Sequence, residues 1–231
     1  MLLDGMTIAL TGAYGNLGRA VAAKLAAEGA RLVLVGRRSD ALDAAFPGEN
    51  PQRMKLAVDL ADETATHAAF RSAIERFGAV DGLCAIAGGF KMGKPVHEMP
   101  QDHWRAMFDL NVTTLLNSVR AVVPDMMERG RGRIVTVGAG AGLKGGAKMA
   151  AYAAAKASVM RITESIAAEL GRSGIAANCI LPSVIDTPDN RAAMPKADQS
   201  RWTSTDDIAA TIAFLVSPEA QAVNGAMVAV G

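Results

Sequence analysis

The chain has 231 residues, half of them hydrophobic, enough to bury one large core, and such lengths are common for a single α/β domain. Its 24 lysines and arginines nearly cancel its 23 aspartates and glutamates, which argues against a nucleic-acid-binding surface or a membrane-surface patch and leaves any basic site local. The three histidines and two cysteines lack metal-ligand spacing, Cys84 and Cys179 read as reduced buried thiols, and no signal-peptide pattern or long apolar run is present, so a metal-free, soluble, cytoplasmic protein is expected.

Met6 to Leu10 is a short β-like apolar run. It leads into Thr11-Gly12-Ala13-Tyr14-Gly15-Asn16-Leu17-Gly18, and Arg19 to Glu28 follows as a helix that Gly29 stops. Strand, glycine turn and helix make a phosphate-binding arrangement. Glycines let the backbone approach a pyrophosphate, and the free N–H groups at the helix start hold its charge. Gly12, Tyr14, Gly15, Asn16, Leu17 and Gly18 are therefore candidate cofactor contacts. Arg31 to Val35 is a second strand, ending in Gly36-Arg37-Arg38. An acid at that point would take a ribose 2′-hydroxyl, whereas arginine accommodates a 2′-phosphate. Arg37 and Arg38 thus favour NADPH, with NADH possible.

A short helix from Asp40 to Phe46 and the turn Pro47 to Pro51 precede a third strand near Arg53 to Val58, closed by Asp59-Leu60. Asp62 to Phe77 reads as an amphipathic helix stopped at Gly78. Gly82 to Ala87 reads as a buried strand, and Ala87-Gly88-Gly89 at its end leaves room for a flat ring or ribose. Phe90 to Pro100 is a loop. Gln101 to Met127 is expected to be one long helix carrying Asn111, stiffened or kinked at Pro124. Gly132 to Val137 is the fifth strand, Gly138 to Gly146 a glycine-rich turn, and a helix then runs to about Gly171. Ile175 to Leu181 is the sixth strand. From Pro182 to Ser204 the chain has no periodic pattern, so this polar stretch is the candidate substrate lid. Thr205 to Val216, with a cap at Ser204 or Thr205, and a last strand from Ala226 to Val230 complete the chain. The alternation predicts a single-domain, Rossmann-like, doubly wound parallel sheet of about seven strands with helices on both faces and its ligand at the carboxyl ends of the strands.

In the helix after the fifth strand, Tyr152 and Lys156 lie four residues apart. That spacing puts phenol and ammonium on one face, roughly 6 Å apart. An ammonium near a phenol favours phenolate, so the pair is expected to lower the tyrosine's pKa toward working pH and make it a usable acid or base.

In this order the residues resemble the short-chain dehydrogenase/reductase superfamily across essentially the whole chain. The resemblance implies that the glycine turn binds the cofactor pyrophosphate, Asp59 and Leu60 contact adenine, and Ala87, Gly88 and Gly89 line the cofactor cleft. It implies that Tyr152 and Lys156 are the catalytic pair, touching the cofactor as well, that Asn111 anchors a proton-relay water, and that Pro182, Val184 and Thr187 belong to a nicotinamide-side loop. Three departures stand out. The glycines are spaced Gly12-x-x-Gly15-x-x-Gly18, with Asn16 in place of the usual middle glycine. Ala85-Ile86-Ala87-Gly88 replaces Asn-Asn-Ala-Gly. Ala139, thirteen residues before Tyr152, stands where the superfamily has its serine.

These departures resemble the dihydropteridine reductase branch of the superfamily, as do Val137 to Leu143, Ala87 to Phe90, and Leu181 to Pro188 with its continuation to Thr203. That branch has an aspartate where this chain has Arg37, and it lacks Asn111. The resemblance implies an NAD(P)H-dependent reductase of a pterin-like, quinonoid dihydropteridine acceptor, with Phe90, Ala139 and Trp202 against the substrate. Two alternatives are a general NADPH-dependent carbonyl or quinone reductase and a non-catalytic NADPH-binding sensor. The helices at 101–127 and 147–171 correspond to those that pair between subunits in related enzymes, so a homodimer or homotetramer is expected.

Overall fold

Val, Ile, Leu and Ala occupy both faces of the strands, as a sheet covered on both sides requires. The computed structural model, which describes residues 1–231, contains seven strands: β1 (Thr7–Thr11), β2 (Arg31–Gly36), β3 (Arg53–Ala57), β4 (Gly82–Ala85), β5 (Gly132–Val137), β6 (Ile175–Pro182) and β7 (Met227–Val230). All pair in parallel, in the order β3-β2-β1-β4-β5-β6-β7. The helices are α1 (Asn16–Ala27), α2 (Ser39–Ala45), α3 (Glu63–Phe77), α4 (Gln101–Phe108), α5 (Thr114–Arg129), α6 (Ala150–Leu170), α7 (Pro188–Ala193) and α8 (Thr205–Leu215). No helix is long and apolar enough to cross a membrane.

The period of two divides the core. Ala9, Val33, Val35, Leu83 and Ile134 face one side, where Phe70 of α3, Val122 and Met126 of α5 and Val159 of α6 cover them. Ile8, Leu10, Leu32, Leu34 and Val135 face the other, against Val21 and Leu25 of α1 and Ile208 and Ile212 of α8. The two clusters are of nearly equal size, 24 and 23 buried residues, so neither face is left to water.

The chain builds outward from β1 to β3, then crosses back to lay β4 on the opposite side of β1. This reversal opens a crevice at the carboxyl ends of β1 and β4, where ligands bind in doubly wound sheets. The two loops approach closely. A Cβ at Gly12, whose φ is +68°, would stand 3.1 Å from the backbone of Ala87. A Cβ at Gly18 would lie 2.2 Å from the Gly12 carbonyl oxygen, so glycine there lets α1 start tight against the turn. The strand expected to reach Ala87 stops at Ala85, because the Ala87 N–H donates to Thr11 Oγ1 (3.0 Å) instead of continuing the ladder.

Two elements differ from expectation. The single helix over 101–127 is α4 and α5 joined by a π-helical segment, Asp109–Thr113, with Asn111 at its centre. The Asn111 side-chain amide donates to the carbonyls of Met107 (3.0 Å) and Gly89 (3.1 Å), competing with the regular helical bonds and widening the turn. Pro124, exposed within α5, does not end the helix, which continues to Arg129. The stretch 182–204 is not structureless either. Thr187 caps α7 by accepting from the Asn190 N–H (3.2 Å), with Pro188 at the first helical position, where proline's missing N–H costs nothing.

At the opposite end of the sheet, Asp81 pins β1 and α5 together. Its carboxylate accepts from the Thr7 N–H (2.9 Å) and from Arg129 Nη1 (2.9 Å), while Arg129 also reaches Asp125 (2.7 Å) and the Val80 carbonyl (2.8 Å). With side chains only 11% and 19% exposed, this network has little water to replace a lost partner. Asp81→Ala is expected to lower the urea-unfolding free energy by about 3 kcal/mol, and Asp81→Asn by less, because an amide oxygen still accepts from Thr7.

Candidate active site

The Ala-rich sequence of α6 lets that helix lie close to the sheet, with Ala151, Ala153 and Ala155 buried. Tyr152 and Lys156 project from it into a cavity of about 1280 Å³ at the carboxyl ends of the strands. Gly12, Tyr14, Gly15, Asn16, Leu17 and Gly18 form one end of that cavity. No side chain caps α1 and no acid occupies its first turn, which leaves its leading N–H groups free for phosphate oxygens. The tight glycine cradle and these open donors fit a dinucleotide diphosphate.

Further along the wall the Tyr14 ring packs over Gly36, where a Cβ would stand 2.5 Å from it. Arg37 is exposed on the wall, whereas Arg38 lies off it and faces Asp40 at 3.6 Å. Asp59 and Leu60 line the same end, the Asp59 carboxylate accepting from the Ala61 N–H (3.0 Å). Ala87, Gly88 and Gly89 form the floor.

Lys156, 6% exposed, donates from Nζ to the Val137 carbonyl (2.8 Å). Burial pulls its pKa down to about 8, opposed by the nearby Cys179 sulfur. Asn111 lies behind the wall at 2% exposure; its side-chain oxygen accepts from the Gly89 N–H (3.2 Å) and holds the floor in place. A Cβ on Gly88 would meet both this oxygen (2.7 Å) and Lys156 Nζ (3.4 Å), so glycine keeps the two groups beside one another.

Tyr152 does not behave as the spacing predicts. Burial raises its pKa, and no lowering by Lys156 opposes it. The ammonium lies 5.9 Å from the ring centroid, tied to a backbone carbonyl rather than to the phenol oxygen. In the chain by itself desolvation therefore outweighs the pairing. The Phe90 ring meets Tyr152 edge-on, with centroids 4.9 Å apart and planes at 78°.

Ala139 lines the cavity beside this pair in extended conformation (φ −169°, ψ 156°). Of the hydroxyls on the wall, Ser183 is engaged with Thr203 (2.6 Å). Pro182 and Val184 also line the cavity, but Thr187 is buried at the cap of α7 and Trp202 stands off the wall. Sequence reasoning missed Met92, Met149 and Met194, which line the apolar side; isolated methionines in irregular segments give no periodic signal. It also missed the link between lid and dinucleotide turn. Asn16 Nδ2 donates to Asp189 of α7 (2.8 Å) while its oxygen accepts from Arg19 (2.8 Å). The neck of the lid is closed by the Ile185–Thr203 bridge, and Arg191 pairs with Asp186 and Gln199 inside it.

Residues 6–198 match the short chain dehydrogenase family. The 2-dehydro-3-deoxy-L-rhamnonate dehydrogenase (NAD(+)) of Sphingomonas sp. (strain SKA58) is 36% identical over 184 residues, 80% of this chain and 74% of that protein. Levodione reductase of Leifsonia aquatica is 31% identical, covering 96% of this chain and 91% of its own. Among solved structures, NAD+-bound xylitol dehydrogenase superposes with a TM-score of 0.92 at 25% identity, covering all of both chains. With the family's match spanning most of the chain and the cleft, the glycine cradle and the Tyr152–Lys156 pair in one cavity, the chain belongs to the short-chain dehydrogenase family.

Proposed function

We propose that the protein is an NADPH-dependent reductase whose acceptor is a flat, electron-poor ring of the quinonoid dihydropteridine kind. As a short-chain dehydrogenase it is an oxidoreductase with a nicotinamide cofactor, which when bound supplies the hydride. The observation that carries the finer reading is the wall beside Tyr152. Residue 139 is alanine, Ser183 is committed to Thr203, and Tyr152 is left as the side-chain acid. Where charge collects on a single oxygen, losing one such donor costs about 3–4 kcal/mol. A quinonoid ring spreads that charge over several nitrogens and needs the second donor less. The resemblance of the 181–203 stretch to dihydropteridine reductases supports the same acceptor.

In this reading Tyr152 Oη gives its proton to the acceptor, Lys156 Nζ holds the ribose hydroxyls of the cofactor, and Asn111 anchors a water behind Lys156 that resupplies the proton. The first N–H groups of α1 bind the diphosphate. Arg37, exposed on the wall without an ion partner, takes the 2′-phosphate, and Arg38 adds only a more distant positive charge. Val184 and Met194 of the lid shield the acceptor from water. The buried thiols of Cys84 and Cys179 suit a cytoplasmic protein, and the same reading includes a homodimer or homotetramer, on the resemblance to related enzymes alone.

The test is NADPH oxidation measured in parallel with quinonoid dihydropterin, quinones and simple ketones. Dihydropterin should exceed ketones in kcat/KM by about a hundredfold, the ratio that roughly 3 kcal/mol of missing oxyanion stabilisation sets. Arg37→Ala should weaken NADPH about tenfold and leave NADH nearly unchanged; a wild-type preference for NADH overturns the cofactor assignment. A second reading, a general carbonyl or quinone reductase, is favoured by the likeness to levodione reductase, and ketone turnover equal to that of dihydropterin would establish it. Tight NADPH binding without turnover of any acceptor would point to a sensor.

A further inference from the structure

Four exposed lysines lie on two segments that carry the cavity-lining residues Phe90, Met92 and Met149. Lys91 and Lys94 flank Met92 in the segment after β4, and Lys144 and Lys148 lie in the segment between β5 and α6. The two segments touch, since the Gly93 N–H donates to the Lys148 carbonyl (2.8 Å). Lys148 is the only non-glycine residue with a left-handed backbone, φ 61°. That conformation is costly for a side chain of this size, and here it turns the carbonyl onto Gly93 and joins the segments.

All four side chains are exposed, and the ion pairs of the chain lie elsewhere. There is no carboxylate between Asp81 and Glu98, nor between Glu128 and Glu164. On adjoining elements Glu98 faces His97 (3.2 Å), Asp109 accepts from Thr113 (3.3 Å), Asp186 is held by Arg191 and Asp189 by Asn16, which leaves Asp102 at the start of α4. In a chain of net charge +1 these two joined segments make a local positive cluster. The same segments carry exposed apolar side chains: Phe90, Met92 and Leu143 are 51%, 55% and 68% exposed, and Phe90 and Met92 line the cavity together with Met149 and Met194. Exposed apolar groups interleaved with unpaired cations match a ligand that is apolar at one end and anionic at the other.

We propose that the acceptor is an anionic amphiphile, whose flat apolar part enters beside Tyr152 and Phe90 while a carboxylate, sulfonate or phosphate stays outside on Lys91, Lys94, Lys144 and Lys148. This deepens the reading of the cavity as an acceptor site but does not depend on which ring is reduced. The lysines select the tail and Tyr152 serves the reacting end.

The test needs no turnover. The full-length protein saturated with NADPH is titrated with two fluorescent probes of one skeleton, 8-anilinonaphthalene-1-sulfonate and its uncharged parent N-phenyl-1-naphthylamine. The sulfonate should bind at least about tenfold more tightly at low salt, and 0.5 M NaCl should remove most of that difference, as roughly expected for exposed charges. Replacing all four lysines (K91Q, K94Q, K144Q, K148Q) should bring the sulfonate down to the affinity of its parent, which should itself be unchanged, showing that the pocket remains folded. Equal affinity of the two probes, no binding of the sulfonate, or a preference that survives the four substitutions overturns the proposal. A failed acceptor assay with a positive probe result would instead strike at the ring assignment alone.

Discussion

Tyr152→Phe is expected to lower kcat by about a thousandfold, within the range for removal of a general acid, while cofactor affinity stays nearly unchanged. The substitution removes only the hydroxyl. The ring and its edge-on contact with Phe90 remain, so the cavity keeps its shape. With alanine at 139 and Ser183 bonded to Thr203, no neighbouring side-chain hydroxyl stands ready to take over. The reaction should then depend on a proton drawn from water. The wild-type pH profile is part of the same prediction. Burial raises the Tyr152 pKa and brings Lys156 down to about 8, so Tyr152 holds its proton through neutral pH and the first group to change with rising pH is Lys156. Its ammonium is present below about 8 and lost above, and reduction should decline through that point. Single-turnover oxidation of NADPH by the wild type and by Tyr152→Phe across pH 6 to 10 reads both effects at once. A phenylalanine variant as fast as the wild type would sink the assignment of Tyr152 as proton donor.

Much of the architecture was legible because its signals are local. The glycine turn between β1 and α1, the period-two strands and the capped helices each announce themselves within about a dozen residues. The elements that differ from the sequence expectation depend on distant partners. Within 101–129 only the Asn111 bond to the Met107 carbonyl bears on the π-helical turn; its other partner is the Gly89 backbone, 22 residues earlier. Pro188 reads as a loop residue until Thr187 is seen capping the helix it opens. The same division runs through the site. Gly12, Arg37, Asp59, Tyr152 and Pro182, scattered over 171 positions, line one cavity as the strand order brings them together. Trp202 and Thr187 stand off the wall because the lid folds back on its own neck at Ile185 and Thr203. The pKa of Tyr152 could not be read from its spacing to Lys156. Spacing places two groups on one face, but the Val137 carbonyl decides where the ammonium points and burial decides which protonation state is penalised.

Lys156→Met should move activity and stability in opposite directions. Catalysis is expected to fall by about a thousandfold if, as proposed, the ammonium holds the ribose and steadies the reacting geometry beside Tyr152. Stability should nevertheless rise. Lys156 is buried beside Val137, and desolvation lowers its pKa from 10.5 to about 8, so the folded chain pays to keep the ammonium at neutral pH. Methionine fills similar space without charge, and the gain is offset in part by the Val137 carbonyl losing its donor, for a net stabilisation of about 1–2 kcal/mol at pH 6.5. The pH dependence fixes the sign. Between about 8 and 10.5 the unfolded chain retains the lysine proton that the folded chain has released, so wild-type stability rises with pH across that window from this group. The advantage of Lys156→Met should therefore be greatest below pH 8 and shrink toward pH 10. Urea unfolding of both proteins at pH 6.5 and 9.5 measures it, alongside NADPH oxidation. A destabilised methionine variant at pH 6.5 would mean that the Val137 hydrogen bond outweighs desolvation, whereas a stabilised and inactive one identifies Lys156 as a charge the fold tolerates for the sake of the reaction.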